Sequence, residues 1–475
     1  MAGCMHATCR HIRNREYMNF YKNVMRVAVP IMIQNGITNL VGMLDNVMVG
    51  RLGTDAMSGV AIVNQLMFIF NLCIFGALSG IGIFTAQFYG KGDDDGIRHT
   101  VRQQVLVSVF LAIVGAAVFL FWGDPLIRLY LHSDGSGGSV EATFAHAKDY
   151  LTVMYAGLLP FALAQVYSST LRNTGETMIP MEAGVAAVAV NLLGNYILIY
   201  GKLGAPRLGV AGAAVATVIS RFAELAIVAV WTHRHTDRNP FIRGVYRRLF
   251  AIPAVLNRQV AMKGMPLLLN ETFWAGAQAA LTQNYSIRGL SAVAAVNISQ
   301  TISNVFNVSF IAMGSAIAIL LGQMLGAGEI ERAKRDAHRL TRFSVVFCLA
   351  FGVVQFAIAG VFPHLYNTSQ EVRRLASGLI RIGAVFMPVY AYVNAAYFII
   401  RSGGKTVITF FFDSVYSWVV VIPAVYVAAH FTGLPLYGLF LIVQLTELIK
   451  CFIGYFLVKR GAWAVNLTRP LGNAG

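Results

Sequence analysis

Apolar residues in this chain fall in long blocks rather than at the one-face spacing of a water-exposed helix. Residues 105–122 and 185–199 contain no charged side chain. About 20 such residues carry a helix across the hydrocarbon core of a bilayer. Lipid supplies no water to unpaired backbone groups, so spanning segments are helices or closed barrels. Barrels need short alternating segments, and these do not dominate here. Reading apolar blocks against charged or Gly/Pro breaks predicts twelve spans. Their limits are 24–49, 58–88, 101–122, 148–171, 180–200 and 209–232, then 260–286, 294–325, 341–362, 375–400, 407–430 and 436–458. The expected fold is an all-α polytopic membrane protein with twelve transmembrane helices.

The blocks repeat. Pro30 and Pro266 hold the same place in the first span of each half, 236 positions apart. At that offset QFYGKGD, from Gln87, matches QMLGAGE, from Gln323. Further on the offset becomes 229, as a longer loop around 133–139 requires. There RNTGET, from Arg172, matches RSGGKT, from Arg401, and GAPRLG, from Gly204, matches GLPLYG, from Gly433. Six helices per repeat give both halves equal topology, so a pseudo-two-fold axis along the membrane normal relates them. The expected organisation is a tail 1–23, an N-lobe 24–232, a connector 233–258, a C-lobe 259–459 and a tail 460–475.

Composition agrees: of 475 residues, 57% are hydrophobic and 12% charged, about half the charged share of an ordinary soluble domain. The net charge of +16 raises a nucleic-acid reading, but the charges sit in alternate connections. Arg10, Arg13, Arg15 and Lys22 lie in the N-terminal tail. Arg234, Arg238, Arg243, Arg247, Arg248 and Arg258 crowd the connector, and Arg332, Lys334, Arg335 and Arg339 follow span eight. Opposite loops are poorer, with Arg51, Lys202, Arg207, Arg288, Arg373 and Arg374. This bias places both termini in the cytoplasm of a protein in the inner, or plasma, membrane. No basic stretch interleaved with aromatics sits in a soluble domain, which excludes nucleic acid. The first span is too long for a cleavable signal. Cys73, Cys348 and Cys451 lie in apolar spans as small hydrophobes. Cys4, His6, Cys9 and His11 do not have a usual zinc spacing, and a disordered tail is expected there.

Ionisable residues deep in a span are costly, and a functional site is the default reading. Asp45 lies late in the first span and Glu271 in the seventh. In the repeat Glu271 falls opposite Asn35 and Asp45 opposite Leu281, so each lobe carries one acid at a different depth. A buried carboxylate can bind a proton or a sodium ion, and releasing it to water lets a gradient drive the lobes. The structural alternative makes Asp45 a solvated residue near a helix end, six positions from Arg51, and Glu271 part of a fixed pair. Gln34, Asn35, Asn39, Asn64, Asn191, Asn195, Asn270, Gln278 and Asn394 suggest a hydrated interior, though any one amide can simply bond between helices. Asp413 is open between capping, a gate contact and ion binding. Glu224 with Arg221, and Glu447 with Lys450, have helical spacing and read as structural pairs. Gly76–Gly80 and Gly322–Gly326 fit close helix packing. No phosphate-binding loop, nucleophile–base motif or metal signature points to an enzyme, a nucleotide or another cofactor.

In order along the chain stand DNVMVG from Asp45, the 87–92 turn, the 171–180 turn, NLLGNYILIYGKLGAPRLGV at 191–210, and Asn270–Glu271. With these motifs the chain resembles the multidrug and toxic compound extrusion (MATE) family over nearly its whole length. The resemblance implies a V-shaped pair of lobes, a monomer, and export of small organic cations through the lipid bilayer against inward H+ or Na+. By position Asp45 looks like the family's N-lobe acid and Glu271 like its C-lobe acid. Two partners depart from the pattern: Asn195 and Asn394 stand where members carry acids. Asparagine ligates sodium through its carbonyl oxygen but exchanges no proton. A lipid-linked precursor flippase of the same superfamily is the competing expectation; extra spans or a strongly cationic central cavity would mark it.

Overall fold

The structure, a computed structural model, describes residues 2–131 and 139–469, with side chains from Phe20 onward except at 41 and 43. The Cys4–His11 set lies outside the described side chains. The long helices are α1 (Ala2–Gly50), α2 (Thr54–Lys91), α3 (Asp94–Tyr130), α4 (Val140–Asn173), α5 (Met178–Tyr200) and α6 (Gly209–Arg234). The second half repeats them as α7 (Ala254–Ser286), α8 (Leu290–Gly326), α9 (Ile330–Ile358), α10 (Gln370–Ser402), α11 (Thr406–Phe431) and α12 (Leu436–Lys459). Backbone at 2–23 belongs to α1, where the sequence suggested a disordered tail.

Eleven helices among the described residues are long and apolar enough to cross a membrane by length and composition. The one left out is α7, which carries Arg258, Lys263, Asn270, Glu271, Gln278, Gln283 and Asn284. It contacts α2, α8 and α11, and Asn270 and Asn284 are buried there while Gln278 stays exposed.

The repeat is visible in the packing. In the N-lobe α1 meets α5, α2 meets α3 and α4, and α6 meets α4 and α5. The C-lobe reproduces each pair with α7–α12. Between lobes, α2 lies on α7, α1 lies on α8, and α2 lies on α8. The first two contacts exchange under a two-fold rotation and the third maps onto itself, so the axis runs between α2 and α8. Turn geometry repeats as well. Gly92 and Gly328, 236 apart, and Gly175 and Gly404, 229 apart, all take left-handed φ values of 72–89° at helix ends. A side chain would strain the backbone there.

Small residues make the lobe seam. A Cβ at Gly80 would come 2.5 Å from Gly264 Cα, and one at Gly76 3.2 Å from Leu268 Cα. Gly322 faces Ala86, and Gly326 lies against the Gln87 backbone. Both Gly-x-x-x-Gly patterns therefore serve the contact between lobes. Without a hydrophobic force between helices in lipid, such close approach gains its energy from dispersion. The middle of α1 crosses the seam: Val24, Val27, Ala28 and Ile31 belong to the C-lobe core. These contacts all lie in the half of the bundle nearer the connector, and toward the other face Leu40, Val47, Phe68 and Phe75 are exposed.

On the connector side Arg102, 6% exposed, donates to the carbonyls of Val245 (3.0 Å), Gly244 (3.0 Å) and Ala251 (3.1 Å), while Arg98 donates to Phe241 O. Two single-turn 3-10 helices, Pro240–Ile242 and Tyr246–Arg248, are thereby pinned beneath α3. The segment after α12, read as a tail, is also packed. Trp463 and Thr468 are buried, and Leu467 reaches the N-lobe core.

Candidate functional site

A cavity of about 710 Å3 opens within the N-lobe and is closed on its inner wall by α8 and α10. It is large enough for a drug-sized molecule. Of the residues expected at a site, Asp45, Gln34, Asn35, Asn64, Asn191 and Asn195 line it. Glu271, Asn39, Asn270, Gln278 and Asn394 do not.

Asp45 is half-buried and accepts a 2.6 Å hydrogen bond from Asn195 Nδ2. The same nitrogen donates to Asn191 Oδ1 (3.2 Å), and Asn191 Nδ2 donates to Thr217 Oγ1 (3.1 Å). Thr217 in turn bonds Ala213 O, so α1, α5 and α6 are tied by one polar chain. Asp45 has no cation within 4 Å among the described residues. Asn195 Oδ1, buried beside it, has no hydrogen-bond donor. A carboxylate and an unused amide oxygen together could take either a proton or a sodium ion.

Glu271 sits apart, on α7 at the lobe seam. Its Cγ lies 3.4 Å from where a Cβ at Gly76 would stand. It makes no hydrogen bond or ion pair among the described residues. The two acids therefore do not form one site. Asn39 and Gln278 are exposed, and Asn394 is packed against Gly314 with its Oδ1 unpartnered.

The C-lobe holds a different arrangement. Lys450, 4% exposed, donates to Asp413 Oδ1 at 2.6 Å. Asn270 Nδ2 donates to Asp413 Oδ2 (3.2 Å) and to Tyr397 Oη (3.4 Å), and Ser414 Oγ donates to Asn270 Oδ1 (2.8 Å). The expected Glu447–Lys450 pair is not formed; the lysine takes Asp413 instead. Asp413 sits in the first of two successive π-turns, 411–415 and 417–421, which the periodicity of the sequence did not signal. Arg221 and Glu224 do pair, at 3.4 Å.

The repeat explains why the cavity is on one side only. At the offsets found in the sequence, Asn270, Asp413 and Lys450 correspond to Gln34, Gly184 and Arg221. Where the C-lobe packs the Asp413 carboxylate, the N-lobe has a glycine backed only by Gln34. That exchange leaves space in the N-lobe and fills it in the C-lobe. Cavity residues not anticipated include Asn71, Ser169, Arg172, Asn173, Thr217 and Arg401. The matched RNTGET and RSGGKT turns, which bring both arginines to the cavity, were the available signal.

The family profile of MatE matches residues 30–197 and 266–427, one stretch in each lobe. The chain belongs to the MatE family. It is a multi-pass membrane transporter and not an enzyme. Among relatives, a protein of Thermotoga maritima named probable multidrug resistance protein NorM is 23% identical over 95% of each chain. Multidrug resistance protein MdtK of Cronobacter sakazakii is 26% identical over 87% of this chain and 88% of its own. In fold, this MatE chain superposes on the Vibrio cholerae MATE transporter VcmN D35N mutant with a TM-score of 0.83 at 18% identity, covering 92% and 96% of the two chains. A MOP-superfamily transporter from Pyrococcus furiosus gives 0.83 at 20%, covering 93% and 96%.

Proposed function

We propose that this MatE protein is a secondary active exporter that moves amphipathic organic cations and drugs outward in exchange for inward H+ or Na+. The observation that carries this reading is Asp45: a carboxylate on the wall of a drug-sized cavity, with one amide donor and no counter-ion within 4 Å among the described residues. Shut away from water, such a carboxylate is costly, and a bound proton or sodium ion offsets the cost. Ion and substrate then compete for one wall of one cavity, which is what exchange requires. The relatives' names, multidrug resistance, support the substrate class.

The lobes meet in the connector-side half, so the cavity leads to the opposite face. With both termini and the connector in the cytoplasm of the plasma membrane, this is the state open to the outside. Rocking of the lobes about the α2–α8 axis would expose the cavity to the other face in turn. Glu271, wedged against Gly76, sits where such rocking would be felt, and we assign it a second, seam-dependent ion-coupling role. One chain holds the whole cavity, which suits a monomer in the lipid bilayer. Three arginines and two carboxylates line the cavity, so it is not the strongly cationic chamber that a pyrophosphate-carrying lipid would call for.

Reconstitution in liposomes tests this. A fluorescent organic cation is followed under a proton or a sodium gradient imposed separately, with Asp45→Asn and Glu271→Gln beside the unmodified chain. Transport under one gradient, lost with Asp45→Asn, is expected. Transport unchanged in that variant, or absent under both gradients, would overturn the assignment.

A further inference from the structure

Two arginines in the cavity are left over by the ion-coupling account. Arg172 ends α4 and Arg401 ends α10, and the 229-residue offset makes them equivalent in the two lobes. Both line the one cavity, at its connector-side floor, beside Asn173 and Ser402. The third cavity arginine, Arg221, is neutralised by Glu224 at 3.4 Å. Arg172 and Arg401 are not: no carboxylate stands within 4 Å of either among the described residues. The fields of Glu224 and Glu271 reach them only from further away.

Their other partners are weak. Arg172 Nε donates to Ser168 O at 3.1 Å. Arg401 is 7% exposed, meets the Phe398 ring at 5.2 Å and the Tyr397 hydroxyl, and keeps a buried Nε with no acceptor. A ligand carboxylate reaching either side chain from the cavity would meet a positive charge that has no ion-pair partner among the described residues. A guanidinium also binds a carboxylate through two parallel hydrogen bonds. Above this floor the walls mix the amides already named with Met67, Phe70, Met154 and Phe161.

Asp45 is far away along the membrane normal. Its partner Asn195 is 17 residues beyond the start of α5, roughly 25 Å at helical rise. The carboxylate that takes the coupling ion and the arginines on the floor therefore act on different groups.

We propose that Arg172 and Arg401 form an anion-binding floor that selects, among amphipathic aromatic substrates, those carrying a carboxylate, zwitterions included. This rests on the export reading above and narrows its substrate class. Simple cations can still use the aromatic walls, but a carboxylate on the same scaffold gains the two guanidinium groups.

The test uses a carboxyl-bearing xanthene dye and its methyl ester, which differ only in that charge. Binding to the purified full chain is measured by fluorescence polarisation, and gradient-driven movement in liposomes by dequenching. The acid is expected to bind about tenfold or more tightly than the ester. Arg172→Gln and Arg401→Gln should each lose most of that preference, the acid losing far more affinity than the ester. Arg401→Lys should keep part of it, since a charge remains without the bidentate geometry. A thermal midpoint in detergent close to that of the unmodified chain is the check that each variant is folded. Equal binding of acid and ester by the unmodified chain, or a preference surviving both substitutions, would overturn the floor. A binding preference with no movement of either dye under any gradient would leave the floor standing and sink the export reading instead.

Discussion

Gly90 of the N-lobe packs directly on the backbone of Gln323 in the C-lobe, and Gly326, its repeat equivalent, packs in the same way on Gln87. The two glutamines complete the figure. Gln323 Nε2 donates to Asn173 O at 2.9 Å, and Gln87 Nε2 donates to Ser402 O at 3.0 Å. Each lobe therefore caps the end of a helix in the other, and positions 173 and 402 are themselves 229 apart. A motif that looked like two ordinary turns in the chain is one symmetric seal around the axis.

Replacing Gly90 by alanine places a methyl group inside the Gln323 carbonyl. The seal must part, at a cost of about 1–3 kcal/mol typical of overpacking. The expected results are a lower thermal midpoint in detergent and faster labelling of a cysteine introduced at the connector-side seam. Gly326→Ala should do the same, and the double variant less than the sum, because one seam opens once. Unchanged labelling in both would show that the seam is not tight.

Asp413, half-buried, and Lys450, buried, form an ion pair whose partners come from different helices. Asp413→Asn leaves the ammonium without its charge partner and should destabilise by about 3–5 kcal/mol. Asp413→Leu combined with Lys450→Met should recover part of that loss, since both charges of the pair are then gone while Glu447 remains. Thermal denaturation of the two singles and the double decides it. A double variant as unstable as the singles would mean that packing rather than charge governs this corner.

Arg102 holds three connector carbonyls with one planar guanidinium. Arg102→Ala should free the connector and speed tryptic cleavage at exposed Arg243, Arg247 and Arg248. Arg102→Lys should not restore protection, because a single ammonium cannot match that fork geometry. Equal digestion rates for all three proteins would count against the role.

The segment after α12 straps the lobes together. Gln87 Nε2 donates to Val465 O (3.1 Å), Leu467 N donates to Gln87 Oε1 (2.7 Å), and Asn466 donates to Gly326 O (3.3 Å). Net values of about 1 kcal/mol per hydrogen bond add to the buried Trp463. Truncation after Arg460 should therefore lower the thermal midpoint and raise cysteine labelling at the same seam, and Gln87→Ala should move both readouts in that direction. A truncated chain with full stability and an unlabelled seam would remove the strap from the account.

Much of this protein was legible in one dimension. Apolar block length fixes how many helices lie in lipid, because an unpaired backbone cannot, and the matched prolines, glycines and turns identify two equivalent lobes. Asp45, an acid in an apolar span, stands out for the same reason, and its amide neighbours Asn191 and Asn195 did join it. What the chain could not reveal by itself is which polar groups meet. Lys450 is three residues from Glu447 yet pairs with Asp413, because two π-turns in α11 turn that carboxylate toward α12. Gly184 opens a cavity only because Gln34 fails to fill the space that Asp413 fills in the other lobe. Arg172 and Arg401 line one cavity only once α2 of one lobe packs on α8 of the other. Periodicity and composition are properties of a segment and can be read along it; neutralisation, cavities and seams depend on distances between segments, which only packing sets.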